Sequence, residues 1–553
     1  MAVTPDTEIR LIKCNLDLDD NNQINFANAT EQYNYFNGLT HLTVTSASYQ
    51  RKDNYIRYPA HIDSIIQYNY CMYKNTHYNA TKWFYAYITR MEYENDNCTR
   101  VYIKTDVWQT WQFDLTFKKS FVEREHTNDD TVGNNTVPEN LETGEYIINS
   151  VSSLMGEAQY YPVVSTAPLK HAQNITEEFN RPTSTAYNDV FGGSDFYVFD
   201  STSDAYKFLQ YVDVNGQNDA INCIFMIPKL LFNKLTKTSY TFAGHGSAGQ
   251  EAYIPSFNYY VITAVTITNL VNQHSITAQQ SLNGYTPRNK KLLTYPYNFL
   301  EVCNNSGGSV IYKYEQFVNN TPKFNVDGAV CPGCSIHLYP VNYNKISDTT
   351  LNQTGIKYAW QDGLNAGKYP IGSWNCDSYT NWLTQNSINN ELGIRSSMLT
   401  LATGVGAIAT GVGAGVGIGM VAGGIFGIAN SVAEIYKHSL SPNEASGNTN
   451  VGDCTYAHRN LLFAFNKKSI KAEFARIIDD FWDMYGYKVN RLKIPNFTSR
   501  TNWNYVKLIN PNIEGYIPQE DLQEIKRLFS NGITIWHKTN YFLDYSQTNN
   551  IVT

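Results

Sequence analysis

Residues 82–93 read KWFYAYITRMEY, residues 94–97 ENDN, and residues 98–111 CTRVYIKTDVWQTW. Bulky residues alternate on both sides of a short Asn/Asp cluster, the pattern of two antiparallel strands joined by a tight turn. In the second run Val101, Ile103, Thr105 and Val107 share one face by the two-residue period, with Tyr102 and Lys104 on the other, as a half-buried strand requires. A long hairpin is expected here. Composition extends that reading along the chain: aromatic residues make up 14%, with 42 Tyr, which favours strands and loops over long helices. At 553 residues the chain exceeds what one small core can organise. The expected fold is therefore mainly β with a few helices (α+β), in several domains.

After His126 the segment 127–145, TNDDTVGNNTVPENLETGE, is polar throughout and marks a boundary. From there to about residue 395, short apolar runs such as CIFMIPKLLF (223–232), YVITAVTITNLV (260–271) and SVIYKYEQFV (309–318) alternate with Gly, Pro, Asn and Ser clusters. One or two further β-rich domains are expected. Two helices are predicted near the end. The first runs from Ser469, with Ile470, Phe474, Ile477, Ile478, Phe481, Trp482 and Tyr485 at helical spacing and Gly486 as its stop. The second is PQEDLQEIKRLF, residues 518–529, with Pro518 at its start, acidic residues early, Lys526 and Arg527 late and Gly532 beyond. ITIWH, residues 533–537, then resumes as a strand. The expected division is a β-rich region 1–127 packed with the C-terminal part, a region 128–395, an apolar segment 396–434, a flexible return linker 435–454, and a C-terminal α+β part 455–553. No internal repeat is visible, which disfavours a solenoid or propeller.

A formal charge of -7 argues against a high-affinity nucleic-acid binder, since phosphate binding needs concentrated Lys and Arg. Nine cysteines, an odd number scattered over a long chain, imply no disulfide framework. The start, MAVTPDTEIRLIKC, lacks a basic stretch followed by an apolar one, so assembly in the cytosol without an export signal is expected.

Against this polar background, residues 396–433 contain no Asp, Glu, Lys or Arg, and residues 400–433 read TLATGVGAIATGVGAGVGIGMVAGGIFGIANSVA. Such a tract points to lipid. A single helical pass needs about 20 residues and would use only half of it. It would also separate two patterned ends that look like one body. Two arms of about 17 residues, turning near Gly413–Gly415, would each reach roughly 26 Å. The candidate membrane-inserting residues are Leu399, Leu401, Val405, Ala407, Ile408, Gly411, Val412, Gly415, Val416, Ile418, Gly419, Met420, Val421, Gly423, Ile425, Phe426, Gly427 and Ile428. Ala407, Gly411, Gly415, Gly419, Gly423 and Gly427 recur every fourth residue, a small-residue stripe that lets helices approach closely in lipid. The glycines disfavour this helix in water, so it is expected to order on insertion. A strand reading stays open, because glycine alternates with larger residues from Gly411 to Met420.

Motifs for chemistry are weak. Cys331-Pro-Gly-Cys334 has the spacing of redox and zinc sites, with His337 close by, but a second ligand pair is missing and a structural turn is expected. Gly244-His245-Gly246-Ser247-Ala248-Gly249 departs from the nucleophile elbow, since His245 stands two residues before Ser247, and reads as a mobile glycine loop. Asp17, Asp19 and Asn21 open like a calcium loop, but Asn22 and Asn28 occupy its sixth and twelfth positions. No HExxH or P-loop lysine motif occurs. No catalytic residue, cofactor or metal is expected. Trp83, Trp108, Trp111, Trp482 and Trp536 read as core. His126 and Arg491 to Lys493 read as solvated charge at a subunit interface.

Two blocks are distinctive. Residues 82–126, containing KWFYAYITRMEY and VYIKTDVWQTWQFDLTFKKSFVEREH, and residues 485–537, containing YGYKVNRLKIPNFTSRTNWNYVKL and DLQEIKRLFSNGITIWH, resemble the tail knob (distal tube) proteins of small short-tailed phages that infect Gram-positive bacteria. The resemblance covers the two ends, in the family's order around an apolar Gly-rich insert, while residues 128–395 carry no motif of it. It implies a multidomain β-barrel or sandwich tube subunit, assembled as a homohexamer in the virion at the distal end of the tail. The implied partners are a proximal tail tube or collar protein, other tail-tip or receptor-binding proteins, host membrane lipid, and genomic DNA in transit without specific binding. The insert is implied to plug the channel and then perforate the host membrane. The competing readings are a tail-associated cell-wall hydrolase, which lacks a recognisable site, and an independent pore-forming toxin, which should carry an export signal.

Overall fold

The computed structural model describes residues 6–18, 21–48, 50–76, 81–154, 160–169, 180, 186–187, 190–191, 194–250, 253–264, 266–304, 307–330, 334–345, 362–366, 371–374, 447–450 and 463–552. The fold is mainly β with a few helices. Two compact units divide the chain: Met1–Glu145 with Gly284–Thr294 and Lys471–Thr553, and Tyr146–Asn283 with Tyr295–Ile470.

In the first unit the expected hairpin forms strands Phe84–Asn95 and Cys98–Thr105, paired antiparallel from Ala86 opposite Thr105 to Asn95 opposite Cys98. Val101, Ile103 and Thr105 are buried, while Tyr102 and Lys104 are half-buried. Val107 departs from the expectation. The Asp106 carboxylate accepts the Gln109 backbone N–H at 2.9 Å and starts a short helix, Val107–Trp111, so Val107 reaches the core from a helix. The hairpin lies in a six-stranded sheet ordered His41–Ala47, Thr7–Ile12, Tyr70–Asn75, Phe84–Asn95, Cys98–Thr105, Tyr55–Tyr58. Ile9, Leu11, Ile56, Val101 and Ile103 share one cluster. Tyr70, Met72, Tyr85 and Tyr87 belong to another, with Phe36 of the helix Ala29–Gly38 stacked 5.3 Å from Tyr70.

A five-stranded sheet joins the early and late parts of the sequence, in the order Asn22–Ile24, Ile533–Trp536, Trp503–Ile509, Ser120–Glu125, Tyr487–Lys493. Val122, Val506, Leu508, Ile533 and Ile535 pack with Leu522, Ile525, Leu528 and Phe529 of the helix Gln519–Asn531. That helix begins after Pro518 and ends at Gly532, whose φ of 95° ordinary side chains avoid.

The other predicted helix differs at its start and on its buried face. Ser469 and Ile470 end the strand Ala464–Ile470, and the helix runs Ala472–Tyr485. Its buried residues are Ala475, Ile478, Asp479 and Trp482, while Ile477 is 66% exposed. A carboxylate therefore takes a place that apolar periodicity assigned to a hydrophobe. Trp108, Trp111, Trp482 and Trp536 are core as expected, whereas Trp83 is half-buried and stacked on Tyr33 at 5.5 Å.

The second unit contains a seven-stranded sheet ordered Thr236–Phe242, Phe257–Ala264, Asp195–Val198, Tyr160–Thr166, Ile221–Pro228, Ile371–Trp374, Gly447–Asn450. CIFMIP lies in an interior strand, which explains its unbroken apolar run, and Pro228 ends it before the short helix Lys229–Lys234. Two four-stranded sheets share its core, which joins Phe225, Ile227 and Tyr259 to Leu300, Phe324, Leu338 and Phe465.

Candidate functional site

The candidate membrane-inserting residues, Leu399 through Ile428 with the register Gly411 to Gly427, lie outside the described residues, and so does Cys331. The structure does describe the strands that precede and follow that tract in sequence. Ile371–Trp374 pairs antiparallel with Gly447–Asn450, with Ile371 opposite Asn450, Gly372 opposite Thr449, Ser373 opposite Asn448 and Trp374 opposite Gly447. On its other side Ile371–Trp374 pairs with Ile221–Pro228 through Phe225 and Ile371, Ile224 and Gly372, and Cys223 and Ser373. Phe225 is fully buried and Ile224 nearly so, which ties this root to the core of its unit. Directly opposed residues in such a pair lie about 5 Å apart, so Trp374 and Gly447, the described residues next before and next after the tract, are neighbours at the sheet edge. Gly447–Asn450 falls in the SPNEASGNTNVGD stretch read as a return linker; the small residues of that run still supply ladder hydrogen bonds, for which backbone suffices.

The first unit is held by buried polar groups that hydropathy does not reveal. Asp479, fully buried, accepts the Tyr285 hydroxyl at 2.7 Å, the Arg288 backbone N–H at 2.7 Å, and the Asn289 backbone and side-chain N–H groups at 3.0 and 2.7 Å. Asp130 accepts the Lys290 N–H at 2.8 Å and the Tyr487 hydroxyl at 2.5 Å. Lys291 and Arg124 both bond to Glu139, and Lys291 and Glu139 are almost fully buried. Burial works to raise the Glu139 acid, but Lys291 and Arg124 outweigh it and hold the carboxyl below its ordinary value. Residues 284–294 are thus fastened into this unit by carboxylates from segment 127–139 and from the helix Ala472–Tyr485. The sequence signal for this was the i, i+4 spacing of Asp479 and Asp483, a polar stripe on an otherwise amphipathic helix.

Two expectations are corrected here. His126 is 1% exposed rather than solvated: its Nε2 donates to the Asp483 carbonyl at 3.0 Å, and its Nδ1 accepts the Tyr505 N–H at 2.8 Å. Burial, reinforced by Arg500, pushes its pKa down to about 3. Arg491 and Leu492 are exposed, but Lys493 neutralises the buried Glu125. In the glycine loop His245 and Ile254 exchange backbone hydrogen bonds of 2.8 Å in both directions, and the Ser247 N–H donates to Gln250 at 3.1 Å. His337 Nδ1 lies 2.7 Å from the Asn365 amide oxygen. Among the described residues no group of His, Cys, Asp and Glu could hold a metal ion, and no helix is long and apolar enough to cross a membrane.

Residues 5–116, which include the six-stranded sheet, match the family described as Caudoviral major tail protein N-terminus, so the class is a tail protein of tailed phages. Residues 262–550, more than half of the chain, match the family described as Bacillus phage phi29, tail knob protein gp9, C-terminal domain, and the chain belongs to that family. It is 27% identical to tail knob protein gp9 of Bacillus phage PZA, with 95% of each chain covered. It is 28% identical to tail knob protein gp9 of Bacillus phage B103, with 93% of each covered. Among solved structures, the tail knob protein gp12 of bacteriophage C1 matches with a TM-score of 0.61 at 13% identity, over 99% of this chain and 100% of that one. That similarity shows a shared fold. The protein is a structural component of the phage tail.

Proposed function

We propose that the chain forms the distal tail tube and knob as a homohexamer, conducts DNA during ejection, and carries in residues 396–434 an apolar loop that plugs the channel and then perforates the host membrane. The observation that supports this best is the root of the insert. Ile371–Trp374 and Gly447–Asn450 are hydrogen-bonded neighbours, so a tract carried between them goes out and returns on one side of any bilayer it meets. That geometry favours a there-and-back insertion, with the glycine register available for packing between arms or between copies. The role is structural rather than enzymatic, with no cofactor. Its partners are further copies of the chain, a proximal tube or collar protein, other tail-tip proteins, and membrane lipid, with DNA only in transit. The net charge of -7 suits passage without adhesion.

Deleting residues 398–430 tests the reading. Assembly should persist, as a six-fold ring in micrographs, while leakage from dye-loaded liposomes is lost. Undiminished leakage would remove the membrane role, and a purified chain that stays monomeric would remove the tube. A zymogram on host cell walls should show no clearing.

A further inference from the structure

A cleft with a cavity volume of about 590 Å³ opens in the first unit between the start of the helix Ala29–Gly38 and the residues that follow the strand Ile533–Trp536. Asn25, Phe26, Glu31, Asn34, Tyr35, His537 and Thr539 line it. The side chains of Asn25, Asn34 and Thr539 make no hydrogen bond with the described chain. Two carboxamides and a hydroxyl therefore offer donors and acceptors together. The half-buried ring of Tyr35, backed 5.5 Å away by the buried ring of Phe26, gives the cleft an apolar wall. Charge is nearly absent. Neither Lys nor Arg is among these lining residues, and Glu31 is their lone carboxylate. His537 bonds through Nε2 to the Asn504 amide oxygen at 3.0 Å, and burial lowers its pKa, which favours the uncharged ring. Burial also pushes the Tyr35 phenol up to about 12, keeping its proton.

We propose that this cleft binds an uncharged pyranose, as the recognition site for a short neutral glycan. Each sugar hydroxyl donates and accepts at once, which planar carboxamides satisfy and which a purely apolar or cationic pocket does not. The sugar's C–H face needs an apolar wall, supplied by the half-buried Tyr35 ring. The volume lies within the ordinary range of small-ligand sites. An anionic polymer would meet Glu31, and the nearby cation Lys538 is not among the lining residues.

The test is saturation-transfer NMR on the full chain with glucose, galactose, N-acetylglucosamine and maltose, using a glycerol-phosphate polymer as the charged control. Saturable binding to at least one neutral sugar is expected. Asn25→Ala and Asn34→Ala should each weaken it about 2- to 10-fold, the loss of one hydrogen bond, with the melting curve unchanged. Asn34 is exposed, so its variant should fold. No saturable response, binding indifferent to both substitutions, or a response confined to the charged polymer would overturn the proposal. A signal abolished when the chain self-associates would do the same, because a second copy would then be the occupant.

Discussion

The two units reach stability by different means. In the second, one continuous cluster of aliphatic and aromatic side chains, from Val163 to Phe465, does the organising. In the first, apolar residues fall into separate clusters, and the joints around segment 284–294 are made of buried carboxylates and their partners. Apolar contact is proportional to area and tolerant of geometry, whereas a buried ion pair is costly once one member is lost. The first unit should therefore fail by loss of single polar atoms, the second by gradual loss of volume.

The largest expected effect comes from Lys291→Ala, which takes from Glu139 its buried cation and leaves it Arg124 and the Lys488 backbone N–H. It should cost about 3–5 kcal/mol in the first unit's unfolding transition and leave the second unit's unmoved. Denaturant titration with probes in each unit reads this, and equal shifts in both would break the comparison. Asp479→Asn keeps the shape but weakens acceptors now serving Tyr285, Arg288 and Asn289. A cost of about 1.5–3 kcal/mol is expected in the same transition.

The next effect depends on pH. Because the folded pKa of His126 is depressed to about 3, the unfolded chain takes up a proton first as acid is added. Stability from this group is present above the unfolded pKa of about 6.5 and is lost as pH falls toward the folded value, by at most about 1.4 kcal/mol per unit. Asp130 and Asp483, whose acids burial raises, act in the opposite sense, so the informative quantity is the difference between the protein and His126→Gln. The variant should show a flatter acid limb; identical limbs would disprove the assignment. The smallest effect belongs to the second unit, where Ile227→Val should cost about 0.5–1.5 kcal/mol, since the fully buried Ile227 loses one methyl. A larger cost would mean that this core is as exacting as the polar joints.

Much of the fold was legible, for reasons visible in particular residues. The 84–105 hairpin announces itself because it is half-buried, so its alternation survives in the sequence. The helix Gln519–Asn531 is bracketed by Pro518 and Gly532, which act locally. Legibility ended where tertiary partners decide. Asp479 is buried because Tyr285, Arg288 and Asn289, nearly two hundred residues earlier, supply its donors, and no local pattern encodes them. The same applies to His126, held between Asp483 and Tyr505. For the candidate site, the apolar tract stood out by composition, whereas its root did not, since Gly447-Asn448-Thr449-Asn450 carries no apolar alternation and pairs through backbone.

That root also has a mechanical meaning. Tension on the insert directed along the strand axis draws Ile371–Trp374 and Gly447–Asn450 the same way, so the hydrogen bonds that tie Ile371–Trp374 to Ile221–Pro228 are loaded in shear and yield together rather than one after another. An anchor of that kind resists a pull far better than one that unzips from its end.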